Sequence, residues 1–201
     1  MRRSLCLIMS VILLFAFAGC GKKSDDASQP SGHIYAEMVV KDYGTIKMEL
    51  YPESAPISVS NFVDLVNKGF YNGMKIHRVQ PRFVIQAGKP EYSGQSAPAN
   101  IKGEFSENGV TNNLSHTRGA VSMARVGGMP DSASSQFFIC VADNRRSLDG
   151  KYACFGYVTE GMDVVDKICA LSPGSGSKGF IEDEASMPVI ESLKIIEKAG
   201  T

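Results

Sequence analysis

Eight short segments of this 201-residue chain carry β-branched residues or alternate apolar with polar residues, and turn-forming stretches separate them. This pattern is typical of β-strands. The segments comprise residues 34–41, 45–50, 75–79, 83–87, 120–125, 136–141, 153–158 and 189–196. Apolar residues have helical spacing in two others, one that follows Pro56 and ends at Lys68 and one from Asp163 to Leu171. The chain is therefore predicted to be mainly β, a closed eight-stranded antiparallel barrel capped by two α-helices.

The first 32 residues have the composition of a targeting segment and a tether. Two arginines precede an apolar run over residues 5–18, which is shorter than a membrane span. The run ends in Phe17-Ala18-Gly19-Cys20, which resembles the lipobox of bacterial lipoproteins, where the cysteine is lipidated and becomes the first residue of the mature chain. An ordinary cleaved signal and an uncleaved anchor are the alternatives. We expect a lipoprotein signal peptide at 1–19, a flexible tether with lipidated Cys20 at 20–32, and one domain at 33–199.

The same features predict where the protein is located. We expect it in a bacterial cell envelope, anchored to the lipid bilayer through acylated Cys20. Gly21 follows the cysteine in place of the aspartate that would favour retention in an inner membrane. We therefore expect the outer membrane, facing the periplasm, if the host has two membranes, and the outer face of the cytoplasmic membrane otherwise.

Charge and composition argue against several classes of function. Loss of residues 1–19 removes two of the 21 basic residues and none of the 21 acidic ones, which leaves a net charge of −2. This charge, without a basic patch interleaved with aromatic residues, argues against a nucleic-acid partner. The three histidines lack metal-site spacing, and no glycine-rich segment has the spacing of a phosphate-binding loop. We expect neither a metal nor a cofactor.

Two other chemistries have little support in the sequence. Ser115, His116 and Asp149 could form a hydrolase triad, but no GxSxG elbow presents the nucleophile. Three cysteines remain within the domain, and each has apolar neighbours, so we interpret them as buried small hydrophobic residues. The three cysteines are Cys140, Cys154 and Cys169. A disulfide between two of them stays open.

Arg78 is the residue of these strands that most needs an explanation. It lies in a largely apolar stretch, residues 76–88, and an unpaired charge is too costly to bury there. The arginine must therefore be paired or face a cavity. A solvent-facing arginine at a strand edge is the simpler alternative, but the segment at residues 135–139, rich in glutamine and phenylalanine, provides matching groups for a site.

A series of motifs along the domain resembles the cyclophilin-type peptidyl-prolyl cis-trans isomerases. A single motif of this kind would be weak, whereas the ordered series is specific. It comprises residues 44–51, 61–63, 69–71, Ile76-His77-Arg78-Val79, Phe83-Val84-Ile85-Gln86-Ala87-Gly88, 122–125, Ser134-Ser135-Gln136-Phe137-Phe138-Ile139, 148–156 and 160–165. The resemblance implies an eight-stranded barrel with two helices, which agrees with the strand pattern, and a substrate groove on its outer face.

The resemblance also implies a set of site residues. It assigns catalysis to Arg78, Phe83 and Gln86. It assigns substrate binding to Val84, Ala124, Arg125, Gln136, Phe138, Leu148 and Tyr152. Alternation along strands puts Val84 with Gln86 on one face, and Gln136 with Phe138 on one face, whereas it does not predict that Phe83 reaches the groove. We interpret His77 as structural.

The implied reaction is the acceleration of X-Pro bond isomerisation during the folding of exported proteins, with proline-containing unfolded or exported polypeptides as partners. Three positions differ from those of many family members. Ser147 replaces a tryptophan, Tyr152 a histidine and Val84 a longer apolar residue. The smaller wall at Ser147 predicts weak cyclosporin binding, and we expect a monomer. A lipid-tethered module that binds proline segments without catalysis, and a purely structural lipoprotein, are the competing hypotheses.

Overall fold

The computed structural model describes residues 32–171 and 178–197. The predicted signal peptide, lipidated Cys20 and nearly all of the predicted tether lie outside these residues. All eight predicted strands are present: β1 (Ile34–Val40), β2 (Gly44–Leu50), β3 (Arg78–Gln80), β4 (Val84–Ala87), β5 (Ala120–Met123), β6 (Phe137–Cys140), β7 (Cys154–Glu160) and β8 (Ile190–Ile196). They form one antiparallel sheet in the order β3-β4-β6-β5-β7-β2-β1-β8.

The sheet curls, but the prediction of a closed barrel is wrong. Among the described residues no ladder joins β3 to β8. The two ends meet at one isolated bridge between Lys75 and Val189, with single hydrogen bonds such as Ile76 N to Pro188 O at 2.8 Å. Pro188 has no N–H to donate, so a continuous ladder cannot pass through it. The architecture is a curled eight-stranded sheet whose edges are only bridged.

Three α-helices occur in the described residues, where two were predicted. They are α1 (Pro56–Asn67), α2 (Arg145–Leu148) and α3 (Met162–Cys169). The sequence pattern missed α2 because a single turn of four residues is too short to show helical periodicity. Within residues 32–171 and 178–197, every helix falls short of the length and hydrophobicity that a membrane span requires.

The start of α1 is stabilised from a distant loop. Pro56 occupies its first turn, where a missing N–H costs nothing, and no side chain of the helix itself caps it. The buried carboxylate of Glu104 instead accepts hydrogen bonds from Ile57 N at 2.9 Å and Ser58 N at 2.8 Å. Glu104 belongs to the long loop at residues 90–113, and this contact shows that the loop supports the first helix.

Both faces of the middle of the sheet are buried. Residues such as Phe137 and Ile139 of β6 point into the main core with Phe62 of α1. Their neighbours on β6, Phe138 and Cys140, point the other way and join a smaller cluster. The other buried members of this outer cluster are Val84, Ala120, Leu148 and Cys154. It underlies the surface on which the predicted site residues meet.

Candidate functional site

One row of side chains runs across four neighbouring strands. Arg78 of β3 pairs with Gln86 of β4, Gln86 pairs with Phe138 of β6, and Phe138 pairs with Ser122 of β5. Side chains of directly opposed residues share one face of a sheet, so all four lie on the outer face. On the far side of β3 the row continues to Phe180, which forms an isolated bridge with Arg78.

The guanidinium of Arg78 is held by three acceptors, none of them a carboxylate. Its Nη1 donates to Gln86 Oε1 at 3.2 Å, its Nη2 to Gln80 Oε1, and its Nε to the carbonyl of Lys178 at 3.0 Å. No ion pair involving Arg78 occurs in the part of the chain that the structure describes. Partial burial lowers the pKa of Arg78 from its usual value, yet an arginine remains charged at neutral pH. The arginine therefore presents an unneutralised cation to an open groove.

Gln86 connects the arginine to the next strand. Its Nε2 donates to Gln136 Oε1 at 2.9 Å, while its Oε1 accepts from Arg78. The amide is thus fixed in one orientation, with oxygen toward the arginine and nitrogen toward Gln136. Gln86 therefore contacts Arg78 directly, whereas Gln136 acts on the guanidinium only by fixing the amide of Gln86.

A cavity of about 210 Å³ opens beside the arginine. Nine of its ten lining residues are ones that the resemblance predicted, and the tenth is Phe180. The predicted lining residues are Arg78, Phe83, Val84, Gln86, Ala124, Arg125, Phe138, Leu148 and Tyr152. Gln136 does not line it but contacts Gln86, so the structure brings all ten predicted residues together. Ser147 is absent from the lining, since its hydroxyl donates to the carbonyl of Asn144 at 3.0 Å.

Phe83 reaches the cavity from a tight turn rather than from a strand. Arg82 adopts φ +63, and Phe83 N donates to Gln80 O at 3.0 Å, which closes the turn between β3 and β4. The Phe83 carbonyl is then fixed by Val141 N at 2.9 Å and by Asn144 Nδ2 at 2.7 Å. Strand alternation could not place this ring, because its position depends on the left-handed residue before it.

Two side chains of the rim are fixed by aromatic contacts. Tyr152 meets Phe138 edge to face, with ring centroids 5.7 Å apart. The guanidinium carbon of Arg125 lies 4.8 Å from the centre of the Tyr152 ring and 5.1 Å from that of Phe105, and its Nε donates to the carbonyl of Lys151 at 2.8 Å. Phe105 is buried in the loop at 90–113, so this loop also supports the groove rim.

A buried polar chain lies behind Phe138. Nδ1 of His116 is 2.8 Å from Asp149 Oδ1, and its Nε2 is 3.0 Å from Ser122 Oγ. The imidazole stacks on Phe138 at 6.0 Å, and its burial lowers its pKa, which Asp149 partly offsets. Ser122 is fully buried, so no substrate can reach its hydroxyl. The arrangement supports the cavity floor and does not serve as the triad that Ser115 suggested.

His77 and the cysteines are structural. His77 is 3 % exposed, does not line the cavity, and its pKa is lowered to about 4 by desolvation. Cys140, Cys154 and Cys169 are all unpaired, and burial raises the pKa of the first two to about 12 and of the third to about 11. Thiols with such pKa values are poor nucleophiles. Cys140 and Cys154 are buried as the apolar context predicted, whereas Cys169 is only partly buried. The described residues contain no group of three side chains that could hold a metal ion.

Comparison with known proteins shows the family to which the chain belongs. The family model for cyclophilin type peptidyl-prolyl cis-trans isomerases matches residues 35–194. Peptidyl-prolyl cis-trans isomerase A of Dickeya dadantii is 39 % identical over 204 residues, which cover 98 % of this chain and 99 % of the relative. A peptidyl-prolyl cis-trans isomerase of Acinetobacter baylyi is 46 % identical over 147 residues, 69 % of this chain and 75 % of the relative.

A solved structure has the same fold. A cyclophilin type peptidyl-prolyl cis-trans isomerase of Cryptosporidium parvum superposes with a TM-score of 0.71 at 24 % identity, over 84 % of this chain and 100 % of the other. At that identity the likeness establishes the fold alone. It agrees with a curled sheet of eight antiparallel strands.

Proposed function

The chain belongs to the cyclophilin-type peptidyl-prolyl cis-trans isomerases and accelerates the isomerisation of X-Pro bonds, and we propose that the groove beside Arg78 is its active site. The observation that carries this assignment is the unneutralised guanidinium of Arg78. Three acceptors hold it at the edge of an apolar cavity. A purely structural lipoprotein would need no such groove, and the relatives are named as isomerases, which favours catalysis over binding alone.

The reaction needs little chemistry from the protein. Rotation about an X-Pro bond meets a barrier of about 18–20 kcal/mol because amide resonance is lost in the twisted transition state. Loss of resonance makes the prolyl nitrogen pyramidal and gives it a lone pair that accepts a hydrogen bond. A cation placed beside that nitrogen therefore stabilises the transition state more than the planar ground state. No nucleophile, general acid or metal is required.

Arg78 supplies this donor. Its planar fork already has Gln86, Gln80 and the Lys178 carbonyl as partners, so its position costs little conformational entropy when a substrate binds. An N–H directed into the cavity can meet the prolyl nitrogen. Gln86 and Gln136 orient the fork from the side of β4 and β6. Because the guanidinium is prearranged, its contribution appears mainly in the rate of interconversion of bound substrate.

The apolar part of the cavity holds the pyrrolidine ring. Phe83, Phe138 and Leu148 form the seat, with Val84 at its edge and Tyr152 packed on Phe138. Phe138 and Leu148 are each 4 % exposed, so the seat is rigid before a substrate arrives. A rigid seat fixes the proline while the preceding carbonyl rotates. The valine at position 84 leaves more room there than a longer side chain would.

The segment after β5 aligns the residue that precedes proline. Ala124 N already donates to the Gln136 carbonyl at 2.8 Å, so the N–H that pairs with a substrate backbone is that of Arg125. The side chain of Arg125 is engaged with Tyr152 and Phe105, which turns its charge along the rim. The proposed pairing uses backbone atoms and therefore tolerates the arginine at this position.

Isomerisation by the domain alone tests the proposal. Turnover of a proline-containing tetrapeptide by residues 33–199, the proposed domain, should exceed the uncatalysed rate, and Arg78→Ala should reduce it strongly. Arg146→Ala, which removes an exposed arginine from α2, is the matched control and should leave turnover unchanged. Peptide binding without turnover by the wild type would support a binding module. If the wild type showed no peptide binding and no turnover, the result would support a structural lipoprotein.

The cellular context is a second part of the proposal. The apolar run over residues 5–18, the lipobox-like ending and the polar stretch after Cys20 support a lipid-anchored isomerase of the cell envelope that acts on exported polypeptides. Mass spectrometry of the mature N-terminus should find acylated Cys20, and Cys20→Ser should release the protein from membranes. A mature chain that begins elsewhere without a lipid would contradict the anchor. Size-exclusion chromatography and a cyclosporin titration test the expected monomer and weak cyclosporin binding.

A further inference from the structure

Phe180 is fixed beside the active site by its backbone, although its ring is exposed. Gly179 O accepts from Val79 N at 2.6 Å, and Ile181 N donates to His77 O at 3.0 Å. A side chain at position 179 would collide with β3, since a Cβ there would lie 2.9 Å from Val79 O, and the residue has φ +87. The glycine therefore allows the segment to lie against β3, and this close approach places Phe180 at the edge of the cavity.

The ring of Phe180 is unusual among the large apolar side chains near the site. It is 46 % exposed, lines the cavity, and its centre lies 5.3 Å from the guanidinium carbon of Arg78. One face stacks on His77 at 6.2 Å. The seat residues Phe138 and Leu148 are almost fully buried by comparison. An aromatic ring with a fixed backbone and a half-exposed surface next to a substrate cavity is suited to contact an apolar group of the substrate.

The strand order indicates which part of the substrate reaches Phe180. From one side to the other the row contains the Phe180 segment, β3, β4, β6 and β5. Arg125, which follows β5, lies at the end opposite to Phe180. With neighbouring strands about 4.8 Å apart, Phe180 is about 5 Å beyond Arg78 and about 10 Å from β4. A peptide whose pre-proline residue pairs with Arg125 and whose proline occupies the seat must leave the seat toward Arg78 and Phe180.

Resting on the proposed active site, we infer that Phe180 is a specificity-determining residue that contacts the side chain immediately after proline and favours an aromatic one. Consecutive Cα atoms are about 3.8 Å apart, so a long side chain on that residue spans the remaining distance to the ring. An aromatic pair adds a favourable contact that alanine or glycine in the substrate cannot make. The contact does not change when the prolyl bond rotates, so it should lower KM and leave kcat unchanged. The preference for an aromatic residue is therefore expected in kcat/KM.

The test compares two peptides, Ala-Ala-Pro-Phe and Ala-Ala-Pro-Ala, by NMR exchange with wild type and Phe180→Ala. The substitution should lower kcat/KM for the Pro-Phe peptide about threefold to tenfold, the range expected for one aromatic contact, and change it less than twofold for the Pro-Ala peptide. Ile57→Ala, an exposed apolar residue on α1, is the control and should change neither. Thermal unfolding verifies that each variant folds.

The outcomes separate this inference from the proposed function. An equal loss for both peptides would mean that Phe180 only positions Arg78, and no loss for either would mean that the ring is outside the substrate path. Both results overturn the inference while leaving the isomerase active site intact. If the wild type turned over neither peptide, the active-site proposal would fail. Dissociation constants of the two peptides with wild type and Phe180→Ala would then decide whether Phe180 still discriminates between them.

Discussion

Gln86 lies directly opposite Arg78 in the antiparallel pair of β3 and β4, and its Oε1 accepts a hydrogen bond from Arg78 Nη1 at 3.2 Å. The cross-strand register and the hydrogen bond reinforce each other. The register brings the two side chains to one face, and the bond from Gln86 Nε2 to Gln136 fixes which end of the amide meets the arginine. The guanidinium that we propose as the catalytic donor is thus oriented by sheet geometry rather than by a carboxylate.

Loss of this positioning should slow the reaction without abolishing binding. A hydrogen bond to a charged group is worth about 1.5 kcal/mol, so Gln86→Ala should lower kcat about tenfold with a smaller change in KM. NMR exchange at saturating peptide measures kcat. The exposed Gln95→Ala is the control and should have wild-type kinetics. An unchanged kcat in Gln86→Ala would mean that the other partners suffice to hold Arg78.

Glu104 should contribute to stability far from the groove. Its carboxylate accepts hydrogen bonds from Ile57 N, Ser58 N and Ser58 Oγ, and the residue is only 1 % exposed. Glu104→Gln keeps the shape but replaces an acceptor with a donor facing these N–H groups, so the free energy of unfolding should fall by about 1–3 kcal/mol. Urea denaturation measures the loss, and Glu107→Gln, an exposed neighbour, should lose almost nothing. Equal stability of the two variants would contradict the capping role.

His77 should make the domain less stable in acid. Desolvation, aided by Lys89 and opposed by Glu91, lowers the pKa of His77 from 6.5 to about 4. The unfolded chain then binds a proton at higher pH than the folded chain does. Neutral His77 therefore makes its full contribution to the free energy of unfolding above about pH 6.5. As the pH falls toward 4, up to about 3 kcal/mol of that free energy is lost.

A variant isolates this effect from other titrating groups. His77→Phe removes the titration and keeps an aromatic ring near Tyr92 and Phe180. The difference in unfolding free energy between wild type and His77→Phe should therefore change between pH 6.5 and 4, and be constant from pH 7 to 8. A difference independent of pH over the whole range would show that His77 titrates normally in the folded protein.

The strands, and most of the residues that meet at the candidate site, could be predicted from the sequence, for different reasons. The eight strands follow from local alternation. Parity along β4 and β6 correctly placed Val84 with Gln86 and Phe138 with Gln136 on one side. The resemblance supplied the identity of the groove residues, including Leu148, whose helix was too short to predict. Closure of the barrel was predicted wrongly, because it depends on how Pro188 interrupts pairing between distant edges.

The contacts that the sequence could not show join residues far apart in the chain. Phe180 reaches the groove only because residues 178–181 lie beside β3, about a hundred positions earlier. Gly179 is the one local feature of the sequence that relates to this approach. Its role is evident only once Val79 is known to lie beside it in the fold. Glu104 likewise caps a helix 46 residues before it. Such contacts depend on tertiary structure, which no local pattern encodes.

We propose that the guanidinium of Arg78 stabilises the twisted transition state more than the bound ground state. The most direct measurement is the interconversion rate of a fully bound Ala-Ala-Pro-Phe peptide by NMR exchange, together with its dissociation constant, in wild type and Arg78→Lys. Lysine keeps the charge and loses the planar fork. We predict a dissociation constant within about threefold of wild type and an interconversion rate at least about tenfold slower, as for a donor that acts in the transition state. Weaker binding with an unchanged interconversion rate would mean that Arg78 only holds the substrate and does not act in the transition state.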